Sequence, residues 1–261
     1  MRLRFWCLTV VLALALVCPL SAAEMTTGTV ILHGGGAIQT SVRLKFLELA
    51  GGESARLVVI PTADYETPLD PSRVEAWRAR NVQSVQLLHA ASREESEPES
   101  FAEPLRDATG VWISGGWQTR LASTYLRTPV ERELAALLKR GGVIFGTSAG
   151  AAVLSRVMLV RTDAREGFDL VPECVIDQHF LVRNRQERLW NVLAQHPHRI
   201  GIGIDEDTAA VIQGDRLSVL GDSTVSICIA AHGSQSQQVQ QFKSGESVDL
   251  HPMRIALTQR R

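Results

Sequence analysis

Along the 261-residue chain, short continuous apolar runs alternate with longer segments whose apolar residues recur every three or four positions. Residues 29–32, 56–60, 111–114, 142–145, 174–176 and 200–204 read as strands buried on both faces, because almost no polar residue interrupts them, and residues 82–88 read as a further strand. Helices are expected between them over residues 41–50, 72–80, 118–126 and 129–140, the last with Thr128 as N-cap and Pro129 as its first residue. A further helix is expected to carry Arg183, Arg185 and Arg188 and to run on through Leu193 until Pro197 limits it. Alternating runs near residues 209–212, 217–220 and 224–229 read as an antiparallel meander with turns at Gly214-Asp215 and Gly221-Asp222. Residues 92–103 are expected to form a solvated loop, 158–173 an irregular segment, and 232–241 a polar surface excursion. This order predicts an α/β fold: a three-layer α/β/α sandwich with a mostly parallel central sheet and a C-terminal antiparallel β extension.

The N-terminus does not belong to that pattern. Arg2 and Arg4 precede an apolar run over residues 10–17, and Ser21-Ala22-Ala23 offers small residues where a signal peptidase reads. A cleavable signal peptide over residues 1–23 is expected, which leaves residues 24–261 as one hydrolase domain, secreted or periplasmic. The apolar run falls short of the roughly 20 residues of a spanning helix, so no membrane association is expected after cleavage. Cys7 and Cys18 leave with the leader. Cys174 and Cys228 remain, either paired by oxidation or as two separate buried thiols. No Cys/His spacing marks a zinc site, so no metal is expected. A formal net charge of -1 removes the global basic field that a nucleic-acid partner would call for.

Candidate chemistry centres on Gly146-Thr147-Ser148-Ala149-Gly150, a Gly-x-Ser-x-Gly turn between an apolar strand and small residues suited to opening a helix. Such a turn presents Ser148 as a nucleophile, or uses Thr147 or Ser148 merely to cap the helix. A serine nucleophile needs a base, an orienting carboxylate and oxyanion donors. His179 ends a strand in Asp177-Gln178-His179-Phe180 and is the base candidate. Glu206 follows another strand in Asp205-Glu206-Asp207 and is preferred as the acid over Asp163 and Glu166, which lie in a loop. The alternative for all of these acids is a structural role, with Asp205 or Asp207 capping the following turn. The N–H groups of Ala149 and of Gly115 or Gly116 are the oxyanion candidates, since glycine lets backbone approach substrate closely. The turns at 33–36, 61–63, 115–118 and 146–148 are expected to meet at the carboxyl edge of the sheet.

Four ordered motifs carry a resemblance. Gly-Thr-Ser-Ala-Gly-Ala, Gly-Gly-x-Gln, Asp-Gln-His-Phe followed by Arg-x-Arg-x-x-Arg-Leu, and Gly-Ile-Gly-Ile-Asp-Glu-Asp-Thr-Ala together resemble the cyanophycinase group of S51 serine peptidases over residues 28–229. The resemblance implies a fold like that of class I glutamine amidotransferases, with serine in place of their cysteine. It implies hydrolysis of β-aspartyl-linked arginine dipeptides from cyanophycin, an arginine-decorated polyaspartate, with no metal or organic cofactor, and it makes a homodimer plausible. By motif it carries over Ser148, His179 and Glu206 as catalytic residues. It carries over Gln118, Asp177, Gln178, Arg183, Arg185 and Arg188 as substrate-binding ones. One departure stands out: where the family has Asn or Asp, Trp117 brings a large aromatic to the pocket, to stack on a guanidinium or to narrow the cleft. The other readings are an esterase or α-aspartyl dipeptidase, and a secreted binding protein that has lost turnover. An α/β-hydrolase esterase places its histidine last, whereas here His179 precedes Glu206.

Overall fold

The computed structural model describes residues 28–64, 72–78, 80–233 and 235–258; the leader expected over residues 1–23 lies outside them. Five parallel strands build the frame: β1 (Thr29–His33), β2 (Arg56–Ile60), β3 (Ser84–Leu87), β4 (Gly110–Ile113) and β5 (Val143–Thr147), in the spatial order β1-β5-β4-β2-β3. β6 (Val157–Val160) and β7 (Asp163–Glu166) form a separate hairpin. β8 (Cys174–Gln178) and β9 (Ile200–Ile204) run parallel in a second sheet. The chain then returns to the large sheet as β10 (Thr208–Gln213), antiparallel to β1, and β11 (Arg216–Gly221). β12 (Thr224–Ile229) and β13 (Gln238–Lys243) complete the second sheet, and β14 (Ser247–Asp249) closes the large one against β11.

The helices are α1 (Thr40–Leu49), α2 (Ser72–Arg78), α3 (Arg93–Ser96), α4 (Glu103–Arg106), α5 (Gln118–Tyr125), α6 (Pro129–Lys139), α7 (Ala149–Ala152), α8 (Gln186–Gln195) and α9 (His251–Thr258). Thr128 caps α6 as expected, its side chain accepting from the N–H of Val130 at 3.3 Å. None of the described helices is long and apolar enough to cross a membrane.

Alternation along each strand explains the layers. Ile31, Val59 and Phe145 face one side, against Val42 and Phe46 of α1 and Val74 and Trp77 of α2. Leu32, Val58, Ile60 and Ile144 face the other, against Leu121 and Tyr125 of α5 and Leu134 and Leu137 of α6. Each such side chain contributes roughly 1.5–3 kcal/mol when withdrawn from water, so helices must cover both faces. The second sheet repeats the arrangement. Ile200, Ile202 and Ile204 point into the same core as Ile144, while Val175 and Cys228 point outward under Leu189, Val192 and Leu193 of α8.

Several details differ from the sequence expectation. The C-terminal meander is split, because β12 pairs with β9 rather than extending the sheet from β11. Residues 92–103 contain short helical turns, 158–173 contain most of the β6–β7 hairpin, and the excursion from 232 to 241 holds much of β13, an exposed edge strand. The cysteine alternatives also resolve. Cys174 lies in the inner core and Cys228 in the outer one, both buried and unpaired, on opposite faces of the second sheet.

Candidate active site

The large sheet delivers Ser148. It follows β5 directly and holds φ 50° and ψ -108°, a region that side chains rarely adopt and that costs on the order of 1–3 kcal/mol. The small residues around it make this turn possible: a Cβ on Gly146 would overlap the Gly150 carbonyl, where the strand folds back onto α7. The Ser148 N–H donates to the His33 carbonyl at 2.8 Å, which ties the turn to the end of β1.

The second sheet delivers the other two side chains. His179 follows β8 and Glu206 follows β9, so the shared edge expected of one sheet is assembled from two. Ser148 Oγ lies 2.8 Å from His179 Nε2, and His179 Nδ1 lies 2.5 Å from Glu206 Oε1. A carboxylate only accepts, so Nδ1 carries the proton and Nε2 accepts from the serine hydroxyl. His179 too has a positive φ, of 50°. Burial pushes its pKa below the ordinary 6.5 while the bond to Glu206 pulls the other way, which leaves a neutral imidazole at neutral pH.

The β1–α1 turn clamps this pair. The Gly34 carbonyl accepts from His179 N–H at 2.7 Å and the Gly35 carbonyl from Asp207 N–H at 2.8 Å. Gly35 has φ 107° and lies flat on the imidazole, where any Cβ would overlap the ring. His33 Nδ1 accepts from the Gly35 N–H at 3.1 Å, and burial pushes the His33 pKa down to about 4. The three adjacent acids divide the work. Asp205 accepts from the N–H groups of Leu181 and Val182, each at 3.0 Å, and from the Ser223 hydroxyl at 2.8 Å, which holds the turn after His179. Glu206 meets the imidazole. Asp207 accepts from Ala37 N–H at 2.6 Å, fixing the β1–α1 turn. Asp163 and Glu166 sit exposed on β7, with Glu166 paired to Arg127, and neither joins this row.

The remaining candidates separate. Gly115 packs beside the nucleophile, where its Cβ would stand 3.4 Å from Ser148 Cβ. Gly116, at φ 139°, turns toward Ala63, and the Trp117 N–H donates to the Ala63 carbonyl at 2.7 Å, so the turns after β2 and β4 do meet. Ala149 opens α7, where a first-turn N–H has no intrahelical acceptor. Gln118 donates from Nε2 to the Leu159 carbonyl at 2.8 Å, tying α5 to the hairpin, and Trp117 is 53% exposed.

Asp177 is wholly buried and takes both oxygens' bonds from Arg188, with Nε at 2.7 Å from Oδ2. Burial raises its pKa and the Arg188 guanidinium opposes that shift. Arg185 lies 3.7 Å from the same carboxylate and donates to the Gln178 carbonyl at 2.8 Å. Only Arg188 of the three arginines lies within α8; Arg185 is its N-cap residue, and Arg183 precedes it in a turn through Asn184 at φ 50°. Arg183 is the most exposed of them and approaches Glu206 Oε1 at 3.9 Å. Gln178 is buried beside them. Sequence reasoning passed over the Asp205 anchor and the Gly35 contact; the run Asp205-Glu206-Asp207 and the positive-φ-tolerant Gly34-Gly35-Gly36 were the available signals.

An α/β sandwich carrying a strained strand-end serine, a neutral histidine and a carboxylate in one hydrogen-bonded row has the makings of a serine hydrolase. Residues 30–220 match peptidase family S51, and the chain belongs to that family of serine peptidases. It is 34% identical over 210 residues to a cyanophycinase of Geminocystis herdmanii, covering 75% of each chain. It is 36% identical over 211 residues to a cyanophycinase of Trichormus variabilis, covering 75% of this chain and 69% of that one. Among solved structures, a peptidase from an acI-B1 actinobacterium superposes with a TM-score of 0.66 at 27% identity, covering 86% of this chain and 98% of the other.

Proposed function

We propose that the protein is a secreted serine exopeptidase that hydrolyses β-aspartyl-arginine units of cyanophycin or related aspartyl peptides through an acyl-enzyme on Ser148. The observation that carries this reading is the row Ser148–His179–Glu206 at 2.8 and 2.5 Å. Ser148 Oγ attacks the scissile carbonyl carbon as its proton passes to His179 Nε2. The imidazolium that forms is balanced by Glu206, and the oxyanion takes N–H bonds from Ala149 and the Gly115-Gly116 turn. Collapse of the tetrahedral intermediate breaks the C–N bond, His179 returns the proton to the departing amine, and an ester on Ser148 remains. Water then adds to that ester with His179 again as base, which releases the acid and restores the serine.

Substrate recognition follows from the same edge. Arg183 is exposed beside Glu206 and is placed to take a substrate carboxylate, while Arg185 and Arg188, held by Asp177, supply a fixed positive field behind it. The cyanophycinase identity of the relatives supports the substrate class. The N-terminal pattern of residues 1–23 supports export.

Incubating the mature protein with cyanophycin and with isoaspartyl and α-aspartyl dipeptides, with products read by mass spectrometry, tests the substrate. Release of β-aspartyl-arginine is expected, and inactivity on every β-linked substrate would reject it. A fluorophosphonate should label Ser148, and its failure to label folded protein would reject the acyl-enzyme. N-terminal sequencing of the exported protein should begin at Glu24.

A further inference from the structure

One buried side chain beside the catalytic row takes no part in the steps of acylation and deacylation. His33 ends β1, is wholly buried, and reaches the site twice. Its carbonyl accepts from the Ser148 N–H at 2.8 Å, and its ring Nδ1 accepts from the Gly35 N–H at 3.1 Å. A ring nitrogen that accepts from an amide carries no proton, so the neutral imidazole is protonated on Nε2. Nε2 faces the side chain of Gln39, whose amide nitrogen donates to Asp222 Oδ2 at 2.9 Å. Neither His33 Nε2 nor Gln39 Oε1, both buried, completes a hydrogen bond among the described residues. A buried N–H without an acceptor is costly. The ring bears that cost on Nε2 while Nδ1 stays on Gly35.

Gly35 is the point at which that bond bears on the chemistry. It is buried, and a Cβ placed on it would overlap Cε1, Nε2 and Nδ1 of His179. Those atoms form the side of the ring that meets Ser148 at 2.8 Å and Glu206 at 2.5 Å. Rotation of the imidazole about its Cβ–Cγ bond would break both contacts, and Gly35 stands in the way. The carbonyls of Gly34 and Gly35 are bound by the N–H groups of His179 and Asp207, so they move with the base and its carboxylate. The His33 ring instead ties the turn back to the strand that holds the serine turn. Two charged or titratable groups act on that ring: Asp207, from the turn after β9, favours its protonation, and His179, from the turn after β8, opposes it. Phe145 of β5 sets its ring nearly perpendicular at 6.2 Å, and Gln39, ahead of α1, offers an amide. Burial outweighs Asp207 and keeps His33 neutral down to about pH 4.

We propose that His33 is a positioning residue for the reaction: its neutral ring, through the Nδ1–Gly35 bond, holds the Gly35 backbone against the His179 imidazole and so keeps the base aimed at both Ser148 and Glu206. This role rests on the proposed acyl-enzyme reading and adds to it a fourth side chain, one that does not touch substrate. Protonation of His33 would set two N–H groups face to face, at Nδ1 and at Gly35. The turn would then leave the imidazole, and the base would lose its orientation without itself being protonated.

The test follows inactivation by a fluorophosphonate and separates the maximal rate constant from the half-saturating probe concentration. His33→Leu fills the buried site without an acceptor and leaves the backbone bond to Ser148 in place. It should lower the maximal rate constant about 10- to 100-fold, the effect of a small misplacement of a reacting group, and keep the half-saturating concentration within about twofold. His33→Asn puts an acceptor oxygen two bonds from Cβ, where Nδ1 stands, and should restore most of the rate. As pH falls toward the His33 value of about 4, the parent's rate should drop more steeply than that of His33→Asn, with folding followed at each pH by tryptophan fluorescence. A loss in His33→Leu that His33→Asn fails to restore, or pH profiles of equal steepness, would overturn the proposal. Should His33→Leu fail to fold, the parent decides. Nitrogen NMR at neutral pH should find the His33 ring bare at Nδ1 and protonated at Nε2, and the Gly35 amide should lose its protection from hydrogen exchange as His33 titrates. A proton on Nδ1, or Gly35 exchange indifferent to that titration, would overturn the role. If the folded parent resists the probe, the acyl-enzyme reading falls and this role with it. If the parent reacts and folded His33→Leu reacts equally fast, the role falls and the reading stands.

Discussion

The two sheets serve the site in different ways. The large sheet supplies one reactive atom and supplies it under strain, by forcing Ser148 to a positive φ at the end of β5. The second sheet supplies the two partners from parallel neighbours, β8 and β9, and locks them with hydrogen bonds from Asp205 and with the Gly34-Gly35 turn. Nucleophile and base thus rest on separate frameworks, and the distance between them depends on how the frameworks dock. The β1–α1 turn is the part that touches both, since His33 binds the serine turn through its carbonyl and the Gly35 turn through its ring.

The largest effect should come from the large sheet's contribution. Ser148→Ala should lower kcat by at least about 10⁴-fold while leaving the fold intact. Unchanged thermal unfolding with lost turnover checks it, and residual activity within tenfold of the parent would move the nucleophile elsewhere. Removing the second sheet's carboxylate comes next. Glu206→Gln should cost roughly 10⁴-fold, whereas Glu166→Gln, an exposed residue paired with Arg127, should stay within about twofold. Glu206→Gln should also move the acid limb of kcat/KM to lower pH. The carboxylate raises the His179 pKa, so without it the imidazole stays neutral further into acid. In the parent that limb should already lie below the ordinary histidine value. A limb that rises in the variant would contradict the assignment of Glu206.

The turn that joins the frameworks should show in stability. The His33 pKa is lowered from 6.5 to about 4, so between those values the unfolded chain binds a proton that the folded chain refuses. Stability is therefore full above about pH 6.5 and falls as pH drops toward 4, by roughly 3 kcal/mol for this residue. Denaturant unfolding at pH 7.5 and 4.5 should show a smaller acid loss in His33→Asn than in the parent. Equal losses would place the acid sensitivity elsewhere. A smaller effect than that of His33 is expected from Asp205→Asn, which keeps the shape and weakens charge-assisted bonds to two N–H groups. A loss of about 1–2 kcal/mol and a modest fall in kcat are expected, since the His179 turn loosens without losing its base.

The parts that were legible in the sequence are those specified locally. The buried strands, the Thr128 cap, the serine turn and the strand-end positions of His179 and Glu206 follow from runs of apolar residues and from the small residues that stop them. The division into two sheets was not legible, because β12 and β11 carry similar alternation and pairing is settled by which partner is near. The β6–β7 hairpin was missed because in Asp163-Ala164-Arg165-Glu166 only Ala164 is apolar and all four residues are exposed. Polar β13 hid in the same way. Arg183 and Arg185 fell outside α8 because Asn184 takes a positive φ there, and Asp177 read as a pocket wall because sequence does not show that Arg188 folds over it.

The cysteines of the second sheet lead somewhere else. Cys174 and Cys228 point into different cores, and burial pushes their pKa values up to about 11 and about 12, so neither presents a thiolate to solvent in the folded protein. Among the described residues they are the whole thiol content. Each is a silent reporter of breathing: a thiol reagent added in excess consumes Cys228 when α8 lifts off the sheet and Cys174 when the inner core parts. The order in which the two are alkylated is a clock for which side of the molecule opens first.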